Sequence, residues 1–203
     1  MSKIEIPVKH FYMLRHGESE ANAAKIYSGL MDTPLTKLGF KQANAVAETV
    51  QNIEIKPKVI VHSHLQRARD TAKPTADLLN LEMITMEEWA EQDMGEWQGV
   101  PHNEVRHFRE EGMDPPSGET NSQFKERVAN ALKVTLEHYT IPLIVCHGGC
   151  FRAFSENYGL EIRGIRNTIL HEYVPSEDPE KHFPWEVYTY ETEITEKYCN
   201  LRF

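Results

Sequence analysis

The chain reads as an α/β domain, on three observations. Short apolar runs alternate with segments of helical period, no internal repeat or long linker interrupts them, and three of the runs end abruptly in turns rich in Arg, His and Gly. His10 to Leu14 is the first predicted strand and breaks at Arg15-His16-Gly17. Thr36 to about Val50 carries Leu38, Ala45, Val46 and Val50 at helical spacing and is followed by polar residues and Pro57. Lys58 to His62 is a second short strand. Leu65 to Leu79 is a helix in which Pro74 predicts a kink or a break. Thr120-Asn121-Ser122-Gln123 has the form of a capping box, with Phe124, Val128, Leu132 and Leu136 following at i, i+4 steps. Leu143 to Cys146 is a third strand ending in His147-Gly148-Gly149, and a short helix from Cys150 to about Tyr158 follows. Thr168 to Val174 and Glu186 to Tyr190 alternate β-branched and aromatic residues as strands do. The polar segment between Gly99 and Thr120 departs from the alternation, and reads as a loop or small helical insertion.

A length of 203 residues fits one domain spanning 1–203, with the segment around 100–118 as a short cap-like insertion. No run approaches the roughly 18 apolar residues of a membrane helix, and Met1 to Pro7 lacks a signal-peptide core, so the cytoplasm is the expected compartment. Three cysteines, Cys146, Cys150 and Cys199, are too few for a disulfide framework. Cys146 and Cys150 flank His147 and could be metal ligands; buried free thiols at a strand-to-helix turn are the plainer reading. A net charge of −9 argues against nucleic acid as a partner. It also requires any pocket for a phosphate to hold a local positive field within an acidic whole.

Three predicted strands end in groups suited to phosphate: Arg15-His16-Gly17, the segment leading to Arg67, and His147-Gly148-Gly149. Ligands in open α/β sheets sit beyond the carboxyl ends of strands, so these groups can converge. Arginine offers a planar fork of donors and keeps its proton at working pH, while glycine lets backbone N–H groups approach an anion. A histidine among two arginines and a second histidine is a plausible nucleophile for phosphorus if its other ring nitrogen is fixed as a donor. The leaving alkoxide then needs a proton, which a carboxylic acid beside the site could supply.

Five blocks in order carry a family resemblance. They are Arg15-His16-Gly17-Glu18-Ser19 with Asn22; Tyr27 to Thr36 with Gly39 and Gln42-Ala43; Ser63 to Ala72; Glu91 to Gly99; and Val145 to Gly149. Together they resemble the histidine phosphatase superfamily, the phosphoglycerate mutase-like group, from residue 10 to about 175. The resemblance implies a three-layer α/β/α sandwich around a mostly parallel sheet. It implies His16 as the nucleophile that becomes phosphohistidine, with Arg15, Arg67 and His147 clamping the phosphoryl group. Glu91 would be the proton donor and acceptor. Asn22 and the backbone of Gly148 would add phosphate contacts, and Ser28 and Gly29 would line the substrate mouth. No cofactor or metal is implied, and the expected partner is a small phosphorylated substrate. One departure is His64, where the family usually has proline; its loss could loosen the placement of Arg67, or the histidine could contact substrate.

Plainer readings stand beside these. Arg67 could pair with Asp70 along a helix, and His147 could be a satisfied core histidine. Glu87, Glu88, Asp93 and Glu96 compete with Glu91, and spacing to Gly95 and Trp97 picks out Glu91. His62 and His64 share one predicted strand face but lack a third ligand for zinc, so a structural or surface role is favoured. Trp89, Trp97 and Trp185 read as packing, and His171 and His182 as surface residues. Arg106, His107 and Arg109 fit either a second anionic or sugar-like substrate end or a solvated loop. Tyr188, Tyr190 and Tyr198 fit an edge strand or an interface, and oligomeric state stays open.

The reaction expected is metal-independent hydrolysis of a phosphomonoester. Mutases of the group carry a longer insertion with adjacent arginines, whereas Arg106 and Arg109 are separated here and the insertion is short. Mutase-type transfer, a non-catalytic phosphate-binding scaffold and a metal-dependent hydrolase are the alternatives. With Glu91 donating a proton in the first step, phosphoenzyme should form faster on the acidic side of neutrality. Glu91→Gln should slow esters with poor leaving groups much more than nitrophenyl esters. Single-turnover rates from pH 5 to 8 check this, and a flat profile counts against the role.

Overall fold

Phe11–Arg15 forms the first strand, β1, and its first four side chains are buried, as a strand covered on both faces requires. The computed structural model describes residues 4–162 and 164–192. Along the chain follow α1 (Glu20–Ala24), α2 (Lys37–Asn52), β2 (Val59–His62), α3 (Gln66–Leu79) and β3 (Met83–Thr85). Then come α4 (His102–Glu110), α5 (Asn121–His138), β4 (Pro142–Cys146), α6 (Gly148–Glu156), β5 (Leu170–Pro175) and β6 (Trp185–Tyr190). The six strands form one sheet in the order β3-β2-β4-β1-β5-β6. The first four in that order run parallel, and β5 and β6 are added antiparallel.

Alternation along β1 feeds two cores. Phe11 and Met13 point toward α5 and α6, where Phe124, Val128, Leu132, Phe151 and Phe154 pack. Tyr12 and Leu14 point to the opposite face, against Val46 and Val50 of α2 and Ala68 and Ala72 of α3. Helices therefore cover both faces of the sheet, which is the expected three-layer α/β/α arrangement. Trp89 and Trp185 are buried in the first core, and Trp97 packs with Met94 and Val105 under α4.

Most expected elements form, with instructive differences. Thr36 caps α2, its hydroxyl accepting from Gly39 N–H at 3.0 Å. The buried stripe of α2 is Ala43, Val46, Ala47 and Val50; Leu38, expected on that face, is exposed because the helix turns Gly39 inward instead. Pro74 does not break α3, which runs on to Leu79. A proline costs roughly 3 kcal/mol in a helix interior, and burial of Ala68, Thr71, Ala72, Thr75 and Ala76 along one face outweighs it. The capping box at Thr120 and Gln123 forms reciprocally: Gln123 N–H donates to the threonine hydroxyl, and Thr120 N–H to the glutamine carbonyl. A second one, Ser19 with Asn22, starts α1 and was not anticipated, because a one-turn helix shows no apolar period. The insertion is the helix α4 followed by a loop to Thr120.

His62 and His64 do not share a face. His62 is buried at the end of β2, donating through Nδ1 to the Ser63 carbonyl at 2.8 Å, whereas His64 lies beyond the strand and is exposed. His182 is exposed as expected, but His171 is not a surface residue. It is 1% exposed in β5, edge-on to Phe151, and its Nδ1–H donates to the Ile169 carbonyl at 3.0 Å. Tyr188 and Tyr190 lie on the edge strand β6; Cys199 and Tyr198 fall outside the described residues. No helix among the described residues is long and apolar enough to cross a membrane.

Burial pushes the His171 imidazole down to about 4. The unfolded chain, with its histidine near 6.5, therefore binds this proton more readily than the folded one between those two values. Its contribution to stability is present above about pH 6.5 and is lost as pH falls toward 4, by on the order of 3 kcal/mol. Urea unfolding of wild type and His171→Gln across this window should give a smaller pH dependence for the variant; parallel profiles would reject the assignment.

Candidate active site

The register of the sheet brings the two histidine motifs together. β1 and β4 are parallel neighbours with Arg15 opposite Cys146, so the next residues, His16 and His147, emerge side by side with ring centroids 5.1 Å apart. β2 lies on the far side of β4 with His62 opposite Val145, which places Ser63 beside the same turn and starts α3 just beyond it. Arg67 lies in the first turn of α3, near enough to act electrostatically on both histidines.

His16 is 4% exposed, and its Nδ1–H donates to the Gly17 carbonyl at 2.7 Å. That bond fixes the tautomer and leaves Nε2 with a lone pair. Burial, Arg67 and Arg15 hold this imidazole well below its ordinary value, so it is neutral at physiological pH. His147 is pushed in the same direction by burial, Arg67, His16 and Arg15, and its Nδ1 is buried with no protein partner.

The two guanidinium groups are oriented by carbonyls. Arg67, 0% exposed, donates through Nη1 to Met31 O at 2.8 Å and through Nη2 to Gly29 O at 2.9 Å. Arg15 donates to Ile165 O, and the Nε of each arginine is buried without a partner. Neither has a carboxylate within ion-pair distance among the described residues. Asp70, the plainer partner for Arg67, pairs with Arg69 at 2.8 Å instead. Burial lowers both arginines, and Glu91 acts in the opposite sense on each.

Glu91 is held from both sides. Its Oε2 accepts from Gly149 N–H at 3.0 Å and its Oε1 from Gln92 N–H at 2.9 Å. Arg127 of α5 grips the backbone of this segment, donating to the carbonyls of Glu88, Ala90 and Glu91 while pairing with Glu119 at 2.7 Å. Of the acidic run, Glu91 alone lines the cavity.

That cavity, about 730 Å³, opens above the cluster, with Arg15, Asn22, Ser28, Gly29, Glu91 and Gly148 all on its wall. Six of the nine expected residues thus line it, while His16, Arg67 and His147 are buried and are not among its lining residues. Asn22 accepts at Oδ1 from Ser19 N–H and from Asn167 Nδ2, both at 3.2 Å, which turns its amide NH₂ away from these partners. Asn167, which also donates to His16 O at 2.7 Å, escaped sequence reading, as did Arg127 and Arg152. Arg127 and Arg152 read as solvated helix charges, and Asn167 sits in a stretch without period. Of the insertion residues, Arg106 is exposed, paired with Glu110 and on the cavity wall, and His107 is exposed and off it. Arg109 reaches the cavity, stacked 5.1 Å from the Tyr27 ring centroid, and Arg152 joins it from α6.

The glycines have different duties from those expected. Gly17 N–H is taken by the Thr71 hydroxyl at 2.9 Å, and a Cβ there would lie 2.6 Å from Gly39 O, so close passage of α2 demands the glycine. His147 is extended and serves as N-cap, so Gly148 and Gly149 open α6 instead of forming a turn before it. A Cβ on Gly149 would fall 2.0 Å from Glu91 Oε1, whereas one on Gly148 meets only ordinary contacts with Arg15.

The family described as "Histidine phosphatase superfamily (branch 1)" matches residues 11–172. A Yersinia pestis relative bearing the name of a phosphoglycerate mutase, GpmB, is 33% identical over 189 residues, covering 86% of each chain. Among solved structures, a mycobacterial glucosyl-3-phosphoglycerate phosphatase in complex with VO3 superposes with a TM-score of 0.72 at 24% identity, covering 89% of this chain and 97% of its own. A protein described as mycobacterial hydrolase 1 gives 0.75 at 23%, covering 91% and 98%. At these identities the structural likeness speaks to the fold.

Gly149→Ala should displace the Glu91 carboxyl and cut turnover of poor-leaving-group esters by about tenfold or more, while Gly148→Ala should cost much less. Steady-state kinetics on an alkyl and a nitrophenyl phosphate distinguish the two; equal losses would contradict the steric argument.

Proposed function

The chain belongs to the histidine phosphatase superfamily, and on that premise we propose that it is a metal-independent phosphomonoesterase working through a phosphohistidine on His16. The observation that carries this reading is the pair of guanidinium groups, buried Arg67 and half-buried Arg15, left without a carboxylate partner among the described residues around a neutral His16. Buried charge without a counter-charge is costly, and a phosphoryl dianion supplies what is missing.

In the reaction proposed, His16 Nε2 attacks phosphorus in line with the ester oxygen. The P–O bond breaks, and Glu91 gives its proton to the departing alkoxide. Arg15, Arg67 and His147 stabilise charge on the three equatorial oxygens. Glu91, now a carboxylate, takes a proton from water as the water oxygen attacks phosphorus. The P–N bond breaks and returns the electron pair to Nε2. The NH₂ of Asn22 and the backbone of Gly148 would add phosphate contacts, and Ser28 and Gly29 would border the entrance; all four line the cavity, which supports these roles.

Water is favoured as acceptor because the cavity is open and the insertion that would cover it is one nine-residue helix and a loop. Arg109 and Arg152, both on the cavity wall, suit a substrate whose far end is anionic or polar. A second reading, transfer between positions of a phosphoglycerate, is favoured by the name of the Yersinia relative. The net charge of −9 and the lack of any apolar run near the roughly 18 residues of a membrane helix favour a small cytoplasmic metabolite over nucleic acid or membrane as partner.

Inorganic phosphate should be released from p-nitrophenyl phosphate in EDTA, and His16→Ala should abolish it by about 10⁴-fold or more. Because His16 is held neutral well below pH 6.5, kcat/KM should not fall as pH drops from 7 to 6, and should decline only once that group gains its proton. An acid limb at or above 6.5 would reject the nucleophile's environment. Interconversion of 3- and 2-phosphoglycerate without phosphate release from any monoester would establish the mutase.

A further inference from the structure

Ser63 lies directly after β2, is fully buried, and is not among the groups assigned a role above. Its hydroxyl oxygen accepts the Leu65 N–H at 3.3 Å, spanning His64 in a tight serine turn, and lies 2.9 Å from His147 Nε2. A hydroxyl has one hydrogen to give and two lone pairs to offer. Leu65 occupies one lone pair. Among the described residues the only acceptor within reach of the hydrogen is His147 Nε2. If Nε2 carried a proton instead, the serine hydrogen would be buried with nothing to bond, at a cost of about 1–3 kcal/mol.

A neutral imidazole that accepts at Nε2 must carry its proton at Nδ1. Nδ1 of His147 is the buried nitrogen with no protein partner. The neighbouring His16 shows the opposite arrangement, Nδ1–H bound to the Gly17 carbonyl and Nε2 free. A backbone carbonyl can only accept, so it forces a proton onto the nitrogen facing it. A buried hydroxyl whose hydrogen has no other acceptor donates, and so forces the proton away.

We propose that Ser63 is a positioning residue that fixes His147 as the Nδ1–H tautomer, so that this ring offers a donor to a phosphoryl oxygen while His16 offers a lone pair to phosphorus. Two histidines with ring centroids 5.1 Å apart thus take complementary roles. The catalytic consequence rests on the phosphatase reading; the tautomer does not.

The test is long-range ¹H–¹⁵N correlation on ¹⁵N-histidine-labelled protein at pH 7.5, with His147 assigned through His147→Gln. Wild type should show His147 Nδ1 at a pyrrole-type shift and Nε2 at a pyridine-type shift. Ser63→Ala should lose that pattern, either by reversal or by averaging, and Ser63→Thr should restore it. With p-nitrophenyl phosphate, Ser63→Ala should lower kcat by about tenfold or more while leaving KM within about threefold, and Ser63→Thr should recover most of it. A protonated Nε2 on His147 in wild type overturns the proposal, as does an unchanged tautomer in Ser63→Ala. If Ser63→Ala fails to fold, the wild-type spectrum alone decides. A chain that shows the Nδ1–H tautomer and releases no phosphate would sink the hydrolase reading and leave the serine's role intact.

Discussion

Two arginines, Arg67 buried and Arg15 half-buried, sit at the carboxyl end of this sheet with no carboxylate among the described residues to neutralise them, and much else in the structure answers to that. A buried ion ordinarily carries a penalty of several kcal/mol unless it is paired. Here the partners of Arg15 and Arg67 are the carbonyls of Ile165, Met31 and Gly29, which hold the planar groups in place without cancelling their charge. Burial first, and this positive potential second, hold two imidazoles well below their ordinary value. A chain of net charge −9 thus holds a concentrated anion-seeking point inside itself.

The sheet explains how so few side chains can do this. Side-chain direction alternates along a strand, so a one-residue slip between β1 and β4 would separate the histidines. The register is held by burial on both faces: Met13 and Ile144 point into one core, Leu14 and Val145 into the other. The same alternation on β2 brings Ser63 against the β4 turn through its N–H bond to Val145 O at 3.1 Å. Core packing and proton placement are therefore one constraint, since the apolar pairs that set register also set which hydroxyl meets which imidazole.

Much of this was legible in the sequence, because strand-end motifs are local: Arg15, His16, Arg67 and His147 each sit where an apolar run stops. Glu91 was legible only through its resemblance, since nothing in an acidic run distinguishes the residue that faces inward. What placed it was the close approach of Gly149 and the grip of Arg127, both long-range contacts invisible to periodicity. Leu38 misled because the face of α2 is chosen by the passage of Gly39 against Glu18, where a Cβ would lie 2.1 Å from the carbonyl oxygen. His171 misled because a lone histidine carries no pattern, and only the pairing of β5 with β1 buries it. Thus the reactive groups could be listed from the sequence, while the residues that aim them could not.

The loop from Gly29 to Asp32 joins specificity to chemistry. Its carbonyls at Gly29 and Met31 are the ones that hold Arg67, and Asp32 accepts from Gln66 N–H at 2.7 Å at the start of the same helix. Ser28 and Gly29 meanwhile border the cavity where the organic part of a ligand would enter. Gly29 has φ of +49°, and a Cβ there would lie 2.5 Å from Gln98 Oε1, so the loop is pinned to the block that follows Glu91. A ligand that presses on this mouth presses on the same backbone that orients the guanidinium. Under the proposed hydrolysis, binding of the non-reacting end would therefore be mechanically coupled to alignment of Arg67 on the phosphate, the means by which remote contacts stabilise a transition state.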